Sequence, residues 1–217
     1  MPTGAAAKIL YFPCLVAKAK NPVAVMKHLF LAVVAMFALW MPASAQTVGP
    51  PVVAPGDHWV YQTGIGKQSL TVTEVKADGT IVAQIESPSL GGQEIRFTKD
   101  WNVVVQPQDL AGNTVFLHYN PPVCVMPPSP WNVGQTWSCA SKFDLGSRVG
   151  IVEVSGKIEA MEKITVPAGT FDALRVREKV GEVATVAWYS PVVRQFVKID
   201  AGANSPYSME LTSYTVK

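Results

Sequence analysis

The sequence has few of the residues that carry most enzymatic chemistry. Its 217 residues include three cysteines and three histidines, and neither a Cys-x-x-Cys nor a His-x-His spacing occurs. A Gly-x-Ser-x-Gly nucleophile motif is also absent, and the glycines of TGIGKQS are too closely spaced for a phosphate-binding loop. These absences predict a protein that is not an enzyme, with no catalytic residue, metal ligand or cofactor to assign.

A long apolar run is missing as well. The run Leu29–Met41 has 13 residues, whereas a membrane-spanning helix needs about 20. It follows Lys27 and precedes Pro42 and the small residues Ala43-Ser44-Ala45, which is the layout of a secretory signal peptide. We therefore expect a leader over residues 1–45, with its core at 26–45 and cleavage between Ala45 and Gln46. Met1 and Met26 both remain possible translation starts.

Removal of residues 1–45 leaves 172 residues (217 less 45), which predicts one domain with no transmembrane span. The leader contains four lysines and no acidic residue, so 14 basic residues remain against 16 acidic ones, and the formal net charge changes from +2 to −2. A nearly neutral chain with no basic cluster does not predict nucleic-acid binding.

The mature chain contains one pair of cysteines, Cys124 and Cys139. An isolated pair in an exported protein predicts a disulfide. Two buried thiols are the alternative interpretation.

Alternation of apolar and polar residues predicts strands throughout the mature chain. In DALRVREKV, Leu174, Val176 and Val180 share one face and the basic residues share the other. SLTVTEV and TIVAQIE flank Asp78-Gly79, which is a strong hairpin signal. The predicted fold is all-β, with a curved antiparallel sheet as an open half-barrel or sandwich and no substantial helix after the leader.

Prolines divide the domain 46–217 into two halves, 56–120 and 131–217. Five prolines lie within residues 120–131, and each removes a donor from a β-ladder. This segment is predicted to be an extended crossover loop, which a Cys124–Cys139 disulfide would tie to the second half.

The stretch KITVPAGTFDALRV (163–176) contains a corner between two strands. Pro167 would end the first strand and Gly169 allows the positive φ of a tight turn. Because the corner itself contains no titratable group, we interpret it as a turn and not as a catalytic site.

The corner Val166–Phe171, the segment Trp188–Pro191, Val197-Lys198 and GDHWVY at 56–61 together resemble a broad group of exported bacterial β-proteins of unknown function. That resemblance implies an open, strongly curved sheet, distantly similar to the half-barrels of periplasmic lipoprotein carriers. This chain lacks helices that would serve as a carrier's lid, and the group supplies no catalytic residues.

Aromatic residues are the remaining candidates for a site. Trp59, Trp137 and Trp188 are the predicted pocket residues on the concave face of the sheet, and ordinary core packing is the alternative. Trp188 and Tyr189 are adjacent in a strand and cannot both point inward.

The sequence thus predicts an exported, non-enzymatic β-protein of the cell envelope that binds an apolar or amphipathic ligand. The predicted location is the periplasm, with the extracellular space as the alternative. Two other functions stay open: a structural or assembly protein that pairs its sheet edge with an envelope partner, and an enzyme with an unrecognised site, for instance around His58 or His118.

Overall fold

A computed structural model describes residues 47–110, 112–144, 149–203 and 205–217. The predicted leader and its cleavage between Ala45 and Gln46 lie outside these residues. The described residues form twelve strands: β1 His58–Thr63, β2 Gly66–Val75, β3 Ile81–Ser87, β4 Gly91–Phe97, β5 Val103–Leu110, β6 Asn113–Val123, β7 Thr136–Asp144, β8 Val149–Val166, β9 Gly169–Val180, β10 Val183–Ser190, β11 Gln195–Asp200 and β12 Met209–Thr215.

The strands form a closed barrel in which each strand is antiparallel to its neighbours in sequence. The all-β, antiparallel prediction is confirmed, and the sheet closes into a barrel where an open half-barrel or sandwich was expected. The barrel closes because β1 pairs with β12 from His58–Thr215 to Thr63–Met209, so the first and last strands leave no open side. The described part of the chain contains no helix long and apolar enough to cross a membrane.

Two turns predicted from sequence are confirmed. Gly79 has a φ of 84° in the hairpin between β2 and β3. At the VPAGTF corner, β8 ends at Val166 and β9 begins at Gly169, which has a φ of 139°. Both glycines are in the positive-φ region that residues with a Cβ rarely adopt.

The antiparallel order places successive turns at alternate ends of the barrel. We call the end that carries the turns after β2, β4, β6, β8 and β10 the base, and the opposite end the mouth.

Loops plug the base. Trp59, Trp101 and Trp131 are almost completely buried there, and Trp131 packs edge-on against Tyr189 with 4.7 Å between ring centroids. The indole of Trp59 donates a hydrogen bond to the carbonyl of Val193 in the β10–β11 loop at 2.9 Å. The tryptophans therefore both fill the base and hold its loops.

The proline-rich segment differs from its prediction. The strand β6 continues through Pro121 and Pro122 to Val123, although we expected a loop from residue 120. The two prolines are tolerated because neither has a partner in the β5 or β7 ladder. Beyond β6 the segment is a loop as predicted, and a disulfide joins its Cys124 to Cys139 of β7.

The ladders on both sides of the β5–β6 hairpin are short. Only the pairs Arg96–Val105 and Phe97–Val103 connect β5 to β4. Residues 91–95 of β4 pair with β3 but have no ladder partner in β5. We call this opening on the mouth side the β4–β5 seam.

Candidate functional site: a chamber inside the barrel

A cavity of about 180 Å³ lies inside the barrel on the mouth side of the plug. We call it the chamber. Four aromatic side chains line it: Tyr61, Phe97, Trp101 and Phe196. The remaining lining residues, apart from one carboxyl group, are aliphatic or uncharged: Gln68, Leu70, Ile85, Val103, Val125, Gln195, Ile199 and Met209.

Trp101 separates the chamber from the base. It lies in the β4–β5 loop with a φ of 63°, an unusual backbone conformation for a bulky residue. Its indole donates to the carbonyl of Arg194 at 3.0 Å, and Arg194 has a positive φ of 61° too. Phe97 packs edge-on against Trp101 at 5.1 Å between centroids. These contacts hold the ring in the chamber wall despite the backbone strain.

Glu178 is the only charged residue among the described residues that line the chamber. It lies on β9, paired with Gly156 of β8 and Thr185 of β10, and is 9% exposed. Thr185 donates a hydrogen bond to Oε1 at 3.1 Å. Within the described chain, Oε2 is buried with no hydrogen-bond partner. Burial raises the pKa of the Glu178 carboxyl to about 7, against the smaller lowering effect of the Thr185 hydroxyl.

Two other polar groups of the chamber wall have partners. The Tyr61 hydroxyl donates to the Phe196 carbonyl at 3.1 Å, and the Gln195 side-chain carbonyl accepts from the Phe196 amide at 2.8 Å. Burial also raises the pKa of Tyr61 well above its ordinary value. Glu178 Oε2 is a lining atom that is buried with no partner among the described residues, and it is available to bind a polar group of a ligand.

The chamber is less enclosed toward the mouth. Gln68, Ile85, Ile199 and Met209 are partly exposed, and each lies within three residues of the mouth end of its strand. Arg96–Val105 borders the β4–β5 seam, and Phe97–Val103, the next pair toward the base, lines the chamber. The partly exposed residues therefore make the mouth the side from which a ligand is expected to enter.

The structure does not bring the three predicted tryptophans together around the chamber. Trp59 is fully buried in the base plug. Trp137 donates its indole hydrogen to the Cys124 carbonyl at 2.7 Å. Trp188 donates to Glu162 Oε1 at 2.7 Å, between the buried residues Ala187 and Tyr189. None of the three is a lining residue of the chamber, and ligand binding at them stays a prediction.

His58 and His118 lie on strands that are not neighbours in the barrel. His58 begins β1 and contacts the Thr71 hydroxyl through Nδ1 at 2.7 Å. His118 lies in β6, opposite Asp144 of β7. Neither lines the chamber, and the described residues contain no group of three or more potential metal ligands placed to hold an ion.

Sequence reasoning missed Glu178, although a signal was present. The alternation that places Val176 and Val180 on the apolar face of β9 also places Glu178 there, because side chains in a strand alternate with a period of two. A single acidic residue on an otherwise apolar face was the informative observation. Trp101 gave no comparable signal, since it lies in a loop.

The chain matches no protein-family model and no curated protein sequence. It is similar to two solved structures. One is a lipoprotein candidate from Parabacteroides distasonis, at 17% identity and a TM-score of 0.42, covering 78% of this chain and 100% of that chain. The other is a candidate exported protein with a YmcC-like fold from Bacteroides fragilis, at 14% identity and a TM-score of 0.42, covering 77% and 99%.

These similarities are too distant to transfer a function. The resemblance of the VPAGTF and Trp-Tyr-Ser-Pro motifs to exported β-proteins and to lipoprotein carriers stays a prediction. The chemistry of the chamber is therefore the basis for a functional proposal.

Proposed function

We propose that this chain is an exported, non-enzymatic β-barrel protein of the cell envelope that binds an apolar or amphipathic ligand in its chamber. The periplasm is the proposed location and the extracellular space the alternative. The leader pattern at residues 26–45 supports export. The observation that carries ligand binding is the apolar chamber itself, with a buried carboxyl oxygen that lacks a partner.

The size of the chamber limits the ligand. A dry apolar cavity of about 150 Å³ in another protein accepts benzene, and drug-sized ligands occupy pockets of about 300 Å³ or more. At about 180 Å³, the chamber suits a molecule of one ring and a few further atoms, or the end of a longer chain that leaves through the mouth.

Exposed apolar side chains at the mouth favour an apolar or amphipathic ligand. Ile65, Val183 and Tyr207 are exposed in or beside the mouth turns, and Val149 and Ile151 are exposed on the part of β8 that extends beyond β9. These side chains supply apolar surface that the exposed end of an amphipathic ligand would contact.

Native mass spectrometry of the protein, expressed as the full chain and purified gently after export, tests the proposal. We expect an additional mass that is released on denaturation. Ile85→Trp should abolish it by filling the chamber, whereas Glu86→Trp should retain it because the adjacent side chain faces outward. The proposal would be contradicted if both variants kept the additional mass. It would also be contradicted if the wild type carried no additional mass and bound no added apolar probe.

Strand addition to an envelope partner is the second candidate. The observation that favours it is the β4–β5 seam, where residues 91–95 of β4 have no ladder partner in β5. A partner that stays bound to Ile85→Trp, but is lost when Glu94→Pro removes an amide donor from the β5-facing side of β4, would support this alternative.

A further inference from the structure

The chamber combines features that are seldom found together in a purely apolar cavity. It holds one buried acidic group, Glu178, whose Oε2 has no partner among the described residues. It contains no lysine, arginine or histidine among its described lining residues. Four aromatic rings complete the wall. Burying a carboxyl oxygen without a partner costs free energy unless a ligand supplies a hydrogen-bond donor or a positive charge.

We propose that the chamber selects a small organic cation, a protonated amine with an apolar body, by pairing its ammonium group with Glu178 Oε2. This inference rests on the proposed function, since it names the ligand class of the same chamber. The ammonium group would give Oε2 the donor it lacks, in a charge-assisted hydrogen bond. Aromatic faces such as those of Phe97, Trp101 and Phe196 attract cations within about 6 Å of a ring centroid.

The groups beside Glu178 on the sheet carry no positive charge. Thr185 occupies Oε1 from the β10 side, and the Trp137 ring covers Gly156, which lies opposite Glu178 on β8. The neighbouring cations on β9 point to the outer face of the sheet. Arg177 is paired there with Glu159, and Lys179 with Glu182. Tyr61 is the other titratable residue of the lining, and it is neutral in the physiological pH range.

A carboxylic acid is the competing ligand chemistry. A protonated Glu178 could donate to such a ligand, and the two cases have opposite pH dependence. Binding of an amine strengthens as pH rises through 7 because Glu178 loses its proton, whereas binding of an acid weakens. The raised pKa of Glu178 therefore makes the two ligand classes distinguishable in solution.

Three probes of nearly equal size test the inference: benzylamine, benzyl alcohol and benzoate. Affinities are measured by isothermal titration calorimetry at pH 5.5 and pH 8 on the exported protein, after removal of any co-purified ligand. At pH 8 we expect benzylamine to bind about tenfold more tightly than benzyl alcohol, which corresponds to one charge-assisted hydrogen bond. Its affinity should fall at pH 5.5, whereas that of benzyl alcohol should not change.

Glu178→Gln keeps the side-chain shape and an acceptor for Thr185 but removes the charge. We expect it to remove the preference for benzylamine and to leave the binding of benzyl alcohol unchanged. Glu182→Gln, which removes an exposed carboxylate from the β9–β10 turn, is the matched control and should behave as the wild type. Circular dichroism shows whether each variant is folded.

The outcomes separate the two levels of the proposal. If benzyl alcohol binds but benzylamine has no advantage, or if Glu178→Gln retains that advantage, the cation inference is wrong and ligand binding by the chamber stands. Preferential binding of benzoate at low pH would assign an acid as the ligand and would also overturn the inference. If none of the three probes binds, both the inference and the chamber proposal fail.

Discussion

At the scale of single residues, Asp57 is a buried carboxylate with a structural task. It has no exposed surface and accepts hydrogen bonds from the backbone amides of Ala54 at 3.0 Å and Lys217 at 2.8 Å. Arg194 approaches the same carboxylate at 3.5 Å. Asp57 thus ties the segment before β1, the β10–β11 loop and the end of the chain together at the base.

Replacing Asp57 by Asn should lower the free energy of unfolding by about 3 kcal/mol. The side-chain NH₂ of Asn would face one of the two backbone N–H donors, of Ala54 or Lys217. The substitution would also remove the negative charge that Arg194 faces. Urea denaturation measures the change. Asp172→Asn is the control: it breaks an exposed pair with Lys163 and should cost less than about 1 kcal/mol. Equal effects of the two substitutions would contradict the role of Asp57.

Glu178 should make the stability of the protein depend on pH. Its folded-state pKa is about 7, raised from an ordinary value of 4.5. The folded protein therefore keeps this proton more tightly than the unfolded chain. The resulting stabilisation is complete below about pH 4.5 and is lost as the pH rises through 7.

The free energy of unfolding of Glu178→Gln, relative to the wild type, should rise by about 3 kcal/mol between pH 4 and pH 8, since each pKa unit corresponds to about 1.4 kcal/mol. Chemical denaturation at a series of pH values measures this difference. Glu182→Gln should show no such trend. A difference that stays constant for Glu178→Gln would mean that the carboxyl group is not buried in an apolar chamber.

At the scale of elements, two aromatic residues of β7 cover glycines of β8. Trp137 lies opposite Gly156 and Phe143 opposite Gly150. The position that a Cβ of either glycine would occupy overlaps the ring of its partner. The rings therefore lie flat across the backbone of β8, a cross-strand arrangement that compensates for glycine in a sheet.

Gly156→Ala should displace the Trp137 ring and lower the free energy of unfolding by about 2 kcal/mol, the usual cost of overpacking. The hydrogen bond from Trp137 to the Cys124 carbonyl should weaken as well. Tryptophan fluorescence and urea denaturation measure these effects. Gly49→Ala is the matched control, because no atom lies within 4 Å of its Cβ position; a similar loss in both variants would contradict the prediction.

The disulfide connects the proline-rich loop to β7, whose ladder with β6 has three pairs. Removing it by Cys124→Ser with Cys139→Ser should lower the free energy of unfolding by about 3 kcal/mol, from the loop-closure entropy of about 15 residues. The wild type under reducing conditions should unfold at the same denaturant concentration as the double variant. A loss below about 1 kcal/mol would show that the loop is held by other contacts.

The strands and turns were predictable because each depends on neighbours in sequence. Alternation indicated the inner face of β9, and Asp78-Gly79 indicated a hairpin. Barrel closure was not predictable in this way, since it depends on the pairing of His58 with Thr215 across the whole domain. The position of Trp101 is likewise set by tertiary contacts with Arg194 and Phe97.

At the scale of the whole molecule, the barrel has two unlike ends. The base is filled by buried tryptophans and fixed by Asp57, whereas the mouth leads to a chamber with partly exposed side chains such as Ile85 and Met209. This asymmetry accounts for a stable fold that keeps an internal space open. The chamber wall includes one pair from each of the two shortest ladders, Phe97–Val103 and Ile199–Met209.

The most direct test of the chamber as a ligand site is to locate a bound probe by NMR. Methyl groups of Ile85, Ile199 and Met209 line the chamber, whereas those of Val149 and Ile151 are exposed on β8. With benzyl alcohol bound, intermolecular nuclear Overhauser effects should appear at Ile85, Ile199 and Met209. In the Ile85→Trp variant, the effects at Ile199 and Met209 should vanish. Effects confined to Val149 and Ile151 would place the ligand outside the barrel and contradict the proposed function.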